Sequence, residues 1–198
     1  MKNILKGANL AGMSTTRERV DNDYYATPYE ATESLLNNVK FTGNFLEPCI
    51  GGGHIAKVIK QFYPDSNITG YDLIDRGYNN TIVDNFLEHD FKDQKFDNII
   101  TNPPYKLAQE FLEKEMKIIN KNGKIAMFLK IQFLEGSKRK EMFKNFPPKY
   151  IYVFSKRQNP WRNGSPVDEK GKPWSSTMCF AWFVWKEGFS GEPVIRWL

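Results

Sequence analysis

Phe96-Asp97-Asn98-Ile99-Ile100-Thr101-Asn102-Pro103-Pro104-Tyr105 reads as an apolar strand ending in a stiff corner, and a helical pattern begins near Lys106. The two prolines fix φ and donate no backbone N–H. Pro103 also drives Asn102 out of the helical region. The corner therefore holds an amide side chain, a carbonyl and the Tyr105 ring in one place. An amide oxygen and a backbone carbonyl are both acceptors, so together they can take both hydrogens of one –NH2 group. The Tyr105 ring can stack on the flat molecule that carries the amine. A proline-rich structural turn has the same letters, so the motif gains meaning only from its context.

That context is a series of strands that alternate with helices. The strands lie at Asn44 to Ile50, Asn67 to Tyr71, Thr81 to Val83, Phe96 to Thr101, Lys124 to Leu129, Tyr150 to Phe154 and Thr177 to Trp185. Helical patterns fill His54 to Phe62, Lys106 to Ile119 and Lys138 to Phe146, and another runs from Thr27 to about Val39. Such alternation builds an α/β fold, a mostly parallel sheet with helices on both faces. Ligands of such sheets bind beyond the carboxyl ends of the strands. Glu47 falls near the end of its strand and Gly51, Asp72, Asp84 and Asn102 just past strand ends, so all five are expected along one edge.

Two of these positions have their own logic. Gly51-Gly52-Gly53 lies between a strand and a helix, where glycines let a ligand approach the backbone and the helix N-terminus that follows. Glu47-Pro48 places a carboxylate just before that loop. Asp72 ends the next strand, where an acid accepts from ribose hydroxyls. Ahead of both, Thr27 reads as an N-cap, with Pro28 at the first helical position and Glu30 three residues after the cap.

Length and composition bound the answer. The 198 residues, 40% hydrophobic and 26% charged, describe one globular domain. We expect an N-terminal arm over 1–23 and a single domain over 24–198. No apolar run is long enough for a membrane span, and no secretory leader is visible near Met1. Two cysteines, Cys49 and Cys179, point to a reducing compartment, and with only His54 and His89 they leave no metal site to expect. The net charge of +5 is compatible with a polyanionic partner. The long polar loop over 156–176 carries Lys156, Arg157, Trp161, Arg162 and Trp174, a mixture suited to phosphates and exposed bases.

Taken together, Phe45 to Gly53, Tyr71-Asp72 and Asn102 to Tyr105 resemble the S-adenosylmethionine-dependent amino-group methyltransferases. The nearest type is the DNA adenine (N6) methyltransferase of the small phage or prophage kind. The resemblance spans about 24–185. It implies the Rossmann-like class I methyltransferase fold, with seven strands and an antiparallel last strand inserted beside the fifth.

By the same resemblance, Tyr25, Thr27 and Pro28 lie near the methionine carboxylate. Glu47, Pro48 and the turn from Gly51 to Gly53 hold the methionine part, Asp72 takes the ribose and Leu73 lies beside the adenine. The family has Asp-Phe after the third strand, whereas this chain has Asp84-Asn85-Phe86. Asp84 or Asn85 (or Asp90) is then left to meet the adenine amine, with Phe86 packing on the ring. Asn102, Pro103, Pro104 and Tyr105 would form the catalytic corner, with Asn102 also bordering the cofactor.

The implied reaction is methyl transfer to a flipped-out adenine in DNA, releasing S-adenosylhomocysteine, in the cytoplasm of a bacterial host if phage-encoded. A protein glutamine amide, or a guanine or adenine amine in RNA, presents the same chemistry, and a non-catalytic binding module would share the fold. No segment is long enough for a separate target-recognition domain. Either recognition is short and lies in the loop over 156–176, or the enzyme is promiscuous, or a partner supplies recognition.

Overall fold

The computed structural model describes residues 24–198. The expected arm over 1–23 lies outside the described residues. Among the described residues, ten strands and four α-helices follow in the order β1 (Tyr25–Ala26), α1 (Tyr29–Asn38), β2 (Phe45–Glu47), α2 (His54–Phe62), β3 (Ile68–Asp72), β4 (Thr81–Val83), β5 (Phe96–Thr101), α3 (Ala108–Ile118), β6 (Ile119–Lys130), α4 (Arg139–Asn145), β7 (Tyr150–Val153), β8 (Trp161–Arg162), β9 (Phe180–Lys186) and β10 (Val194–Trp197), with a short 3-10 turn over Ile131–Leu134.

Eight of the strands form one sheet in the order β10-β7-β9-β6-β5-β2-β3-β4. Pairing is parallel except around β9, which runs antiparallel to both β6 and β7. The expected antiparallel last strand is thus where the resemblance put it. The sequence reading did not include β10, which adds parallel to β7 at the sheet's edge. All four of its residues are exposed, so it lacks the continuous buried apolar run that marks the central strands.

Those central strands bury both faces, and their side chains divide between two cores with period two. Ile125, Met127 and Leu129 join Phe183 and Trp185 in the core that α3 and α4 cover. Ala126 and Phe128 join Trp182 and Val184 in the core under α1 and α2. The buried tryptophans keep their N–H groups satisfied. Trp182 Nε1 donates to the Ala31 carbonyl at 2.8 Å, and Trp185 Nε1 to the Phe146 carbonyl at 2.9 Å. These bonds pin α1 and the end of α4 to the sheet.

Chain direction reverses between β2 and β5. From β2 the chain steps outward to β3 and β4, then returns to β5 on the other side. A crevice opens at such a switch point beyond the strand ends. Outside the main sheet, β1 pairs with β8 as a separate antiparallel ribbon, Tyr25 opposite Arg162 and Ala26 opposite Trp161. Among the described residues, no helix is long and apolar enough to cross a membrane.

Candidate active site at the strand edge

The glycine loop leaves β2 and turns into α2 through Gly51 and Gly53, whose φ angles are +52° and +72°. Both lie in the left-handed region, which suits glycine. Space is closed to side chains as well. A Cβ on Gly53 would fall 1.9 Å from the Tyr78 ring, and one on Gly51 would fall 3.0 Å from the Tyr24 ring. Asp72, at the end of β3, holds the loop. Its Oδ2 accepts from Gly51 N at 2.8 Å and its Oδ1 from Ile74 N at 3.1 Å. A carboxylate offers about four lone-pair positions, so two remain for a ligand.

Glu47 is 1% exposed and its Oε2 has no partner. Burial, with Asp72 close by, holds its carboxyl well above the usual range, although a hydrogen bond involving the Ala56 backbone opposes the shift. A buried acceptor of this kind needs a donor, and a cation would satisfy it best. Thr27 offers a second such atom. Its side chain is buried and its Oγ1 is unpartnered. The expected N-cap is not formed: Pro28 occupies the cap position with ψ 141°, and no side chain caps α1. Thr27 sits one residue too early to cap, which leaves its hydroxyl for another partner.

Asn102 follows β5 and donates from Nδ2 to the Tyr25 carbonyl at 2.7 Å. A carbonyl only accepts, so the –NH2 end must face it and Oδ1 turns away. Tyr105 is more enclosed than a free stacking platform. Its ring lies 6.0 Å from Phe180, and the Lys130 ammonium sits 4.9 Å from its centroid. Its hydroxyl is buried without a partner, and burial pushes the phenol up.

On the adenine side the structure departs from the implied roles. Phe86 is 2% exposed and stacks on Phe111 at 5.1 Å, so the ring is a core wall and not an open platform. Asp84 is exposed and bonded to His89 Nδ1 at 2.6 Å, which holds its carboxyl below the usual range. Tyr71 in turn meets His89 Nε2 at 3.3 Å. Asn85 Oδ1 accepts from Leu87 N. Asp90 Oδ1 accepts from Lys92 N. Leu73 is 66% exposed and remains available to cover a ring.

The loop over 156–176 is not an open arm. Trp161 leans edge-on against Tyr29 at 5.3 Å and His54 at 5.6 Å, and those two rings stack at 5.3 Å. Trp174 Nε1 donates back into the loop, to the Ser165 carbonyl at 2.7 Å. Arg157 reaches the Ser176 carbonyl, and Arg162 lies in the β1–β8 ribbon. Both tryptophans are thus occupied locally, and only Lys156 of the five candidates stands clear among exposed neighbours. The exposed tip is Glu169 to Pro173, held by the bridge from Val167 to Pro173 and by Asp168 Oδ1, which accepts from Lys170 N and Lys172 N.

The loop therefore packs against the starts of α1 and α2, beside the glycine loop. Sequence reasoning also missed Tyr24, which covers Gly51 and Gly52 and carries the Arg76 guanidinium 4.3 Å from its ring centroid. The doublet Tyr24-Tyr25 was visible, but nothing local to it identified the loop it covers.

No protein-family model matches the chain. Over 100 residues it is 33% identical to the type II methyltransferase M.CvrRI of Paramecium bursaria Chlorella virus XZ-6E, a match covering 45% of this chain and 26% of that protein. The chain thus spans about a quarter of the relative it matches. The fold is similar to that of a protein assigned as a class I S-adenosylmethionine-dependent methyltransferase from Listeria monocytogenes, with TM-score 0.60, 14% identity and coverage of 96% and 70% of the two chains. It also resembles the M protein of the type I restriction enzyme EcoKI (TM-score 0.59, 13% identity, coverage 83% and 44%). An S-adenosylmethionine-dependent O-methyltransferase from Thermotoga maritima gives 0.56, 15%, 90% and 70%. The architecture is the class I methyltransferase fold.

The residues fit the cofactor that this fold carries. Glu47 Oε2 is an orphan acceptor for an ammonium, Thr27 Oγ1 is an orphan hydroxyl, Asp72 keeps lone pairs for a diol and Leu73 exposes an apolar surface. Among the described residues, no group of three or more His, Cys, Asp or Glu is arranged to hold a metal ion.

Proposed function

We propose that the protein transfers the methyl group of S-adenosylmethionine to the exocyclic amine of adenine in DNA. The observation that carries this reading is the Asn102 amide, turned by the Tyr25 carbonyl so that Oδ1 is presented as an acceptor beside the rigid Pro103-Pro104 corner. S-adenosylmethionine supplies an electrophilic sulfonium methyl. Glu47 is the group to meet its ammonium, Thr27 its carboxylate and Asp72 its ribose.

The lone pair of an aromatic amine is delocalised into its ring. Asn102 Oδ1 and the Pro103 carbonyl, each accepting one N–H, favour a nitrogen whose lone pair is available. That lone pair would take the methyl group that bound S-adenosylmethionine supplies, the new N–C bond replacing the methyl–sulfur bond, whose electron pair would stay on sulfur. The nitrogen is then cationic and releases one proton, so no protein base has to act first. Rate enhancement rests on positioning and on dipoles fixed in advance. A base within duplex DNA must be unstacked first, at a few kcal/mol.

DNA is favoured over a protein amide or an RNA amine because the partial sequence match is to a type II methyltransferase. The loop over 156–176 is the proposed target-recognition element, with its exposed tip and Lys156 facing the phosphates. Methyl-labelled cofactor offered with DNA, RNA and protein tests the reading. Label is expected in DNA. Label confined to RNA or protein would replace DNA with that substrate, and no transfer to any of the three would remove the activity.

A further inference from the structure

The roles given so far to Tyr25 and Trp161 make no use of the pairing between β1 and β8. It joins Tyr25, which turns the catalytic amide, to Trp161, more than a hundred residues later in the chain. We propose that Trp161 is a positioning residue for Asn102, acting through the Tyr25 carbonyl; this rests on the reading of Asn102 Oδ1 as the acceptor for the target amine.

The argument runs from local stability to geometry. β1 and β8 are two residues each and pair only with one another. A ribbon that short is not stable on its own and needs side chains to seat it. Trp161 provides the seat. Its ring is wedged edge-on against the Tyr29–His54 stack, and those two residues begin α1 and α2. Both helices are packed on the sheet, so β8 is fixed to the core at this point. β8 then fixes β1 by pairing, and Asn163 N adds a bond to the Tyr24 carbonyl at 2.8 Å. β1 presents the Tyr25 carbonyl to Asn102 Nδ2. The chain of contacts is Trp161, β8, β1 and then the amide. A small displacement of a reacting group has a large cost in rate, so the seat of this ribbon is felt in turnover.

The experiment follows the Asn102 side-chain amide by nitrogen-15 NMR, its signal identified by its absence in Asn102→Ala. Hydrogen exchange of that amide and kcat at saturating cofactor and DNA are measured in the parent, Trp161→Ala, Trp161→Phe and Tyr29→Leu. Trp161→Ala is expected to speed exchange of the amide about tenfold or more and to lower kcat about 10- to 100-fold. Exchange in β5 and β6 should be unchanged, which a general loss of stability would not allow. Trp161→Phe keeps an edge-on ring and should restore both readouts. Tyr29→Leu removes one of the rings that Trp161 leans on and should move both in the same direction by less.

Unchanged exchange and kcat in Trp161→Ala would overturn the proposal, as would a Phe variant as impaired as the Ala variant. The two levels separate cleanly. A parent that methylates DNA, with no response in Trp161→Ala, keeps the function and removes the coupling. Exchange that depends on Trp161 in a protein transferring methyl to nothing keeps the coupling and removes the function.

Discussion

The candidate site has two walls built in different ways. One is the strand edge, where Glu47, Asp72 and Asn102 are carried on neighbouring strands of one buried sheet. The other is the flap made by β1, β8 and the loop over 156–176, held by a two-residue ribbon and a wedge of three rings. Positions on the first wall follow from backbone pairing across strands packed on both faces. Positions on the second depend on a few contacts between distant parts of the chain. The difference teaches where each wall gets its precision: the edge from backbone pairing within the sheet, the flap from a few side-chain contacts, and Asn102 is tied to both.

The comparison breaks first at Asn102. Asn102→Ala removes one acceptor and the tie to Tyr25, and turnover is expected to fall about 10²- to 10³-fold, the scale of losing one preorganised polar group. Cofactor affinity measured by calorimetry should be largely kept. A variant with the parent's rate would mean that the edge does not carry the chemistry.

Asp72→Ala tests the same wall from the cofactor side. Two backbone N–H groups lose their acceptor, and the ligand loses a charged partner. Affinity for S-adenosylmethionine should weaken by about 1–3 kcal/mol. Unchanged binding in a folded variant would remove Asp72 from the site.

The core behind the edge has a flaw that pH exposes. Glu115 on α3 is fully buried with neither carboxylate oxygen partnered, and burial raises its pKa from 4.5 to about 8. The folded state therefore holds a proton that the unfolded chain releases between about pH 4.5 and 8. The stability tied to that proton is fully present below the lower value and lost as pH rises through the upper one. Glu115→Leu should raise the melting temperature more at pH 9 than at pH 5, by the equivalent of roughly 1–3 kcal/mol. Equal gains at both pH values would show that Glu115 does not titrate this way.

The smallest effect belongs to the flap. Lys170 and Lys172 stand at the exposed tip, and replacing both with Ala should reduce the salt slope of DNA binding by about one per lysine. S-adenosylmethionine affinity should hold, because neither residue touches the ribbon. Replacing Arg162 is a poorer test, since it pairs with Tyr25 and would disturb both walls. A double variant with the parent's salt slope would take the tip out of DNA contact.

The same contrast explains what the sequence made legible. Local signals spell the strand edge: the apolar run Ile125 to Leu129, glycines at 51–53, an acid at the end of β3 and prolines after β5. Each feature lies within a few residues of the element it shapes. The flap is spelled by partners far apart. Nothing near Trp161 points to Tyr29 or His54, and nothing near Tyr25 points to Arg162. Phe86 was misleading for a related reason, because a ring after a strand end serves a ligand or a core equally well, and here Phe111 decided it. The edge strand β10 escaped because its exposed Val194, Ile195 and Trp197 lack the polar alternation of a half-buried strand.

Identifying the methylated product tests the central claim most directly. DNA incubated with the protein and methyl-labelled S-adenosylmethionine would be digested to nucleosides and analysed by mass spectrometry. The account predicts label on the N6 amine of adenine, lost with Asn102→Ala. Label on cytosine, or transfer that persists without Asn102, would contradict it.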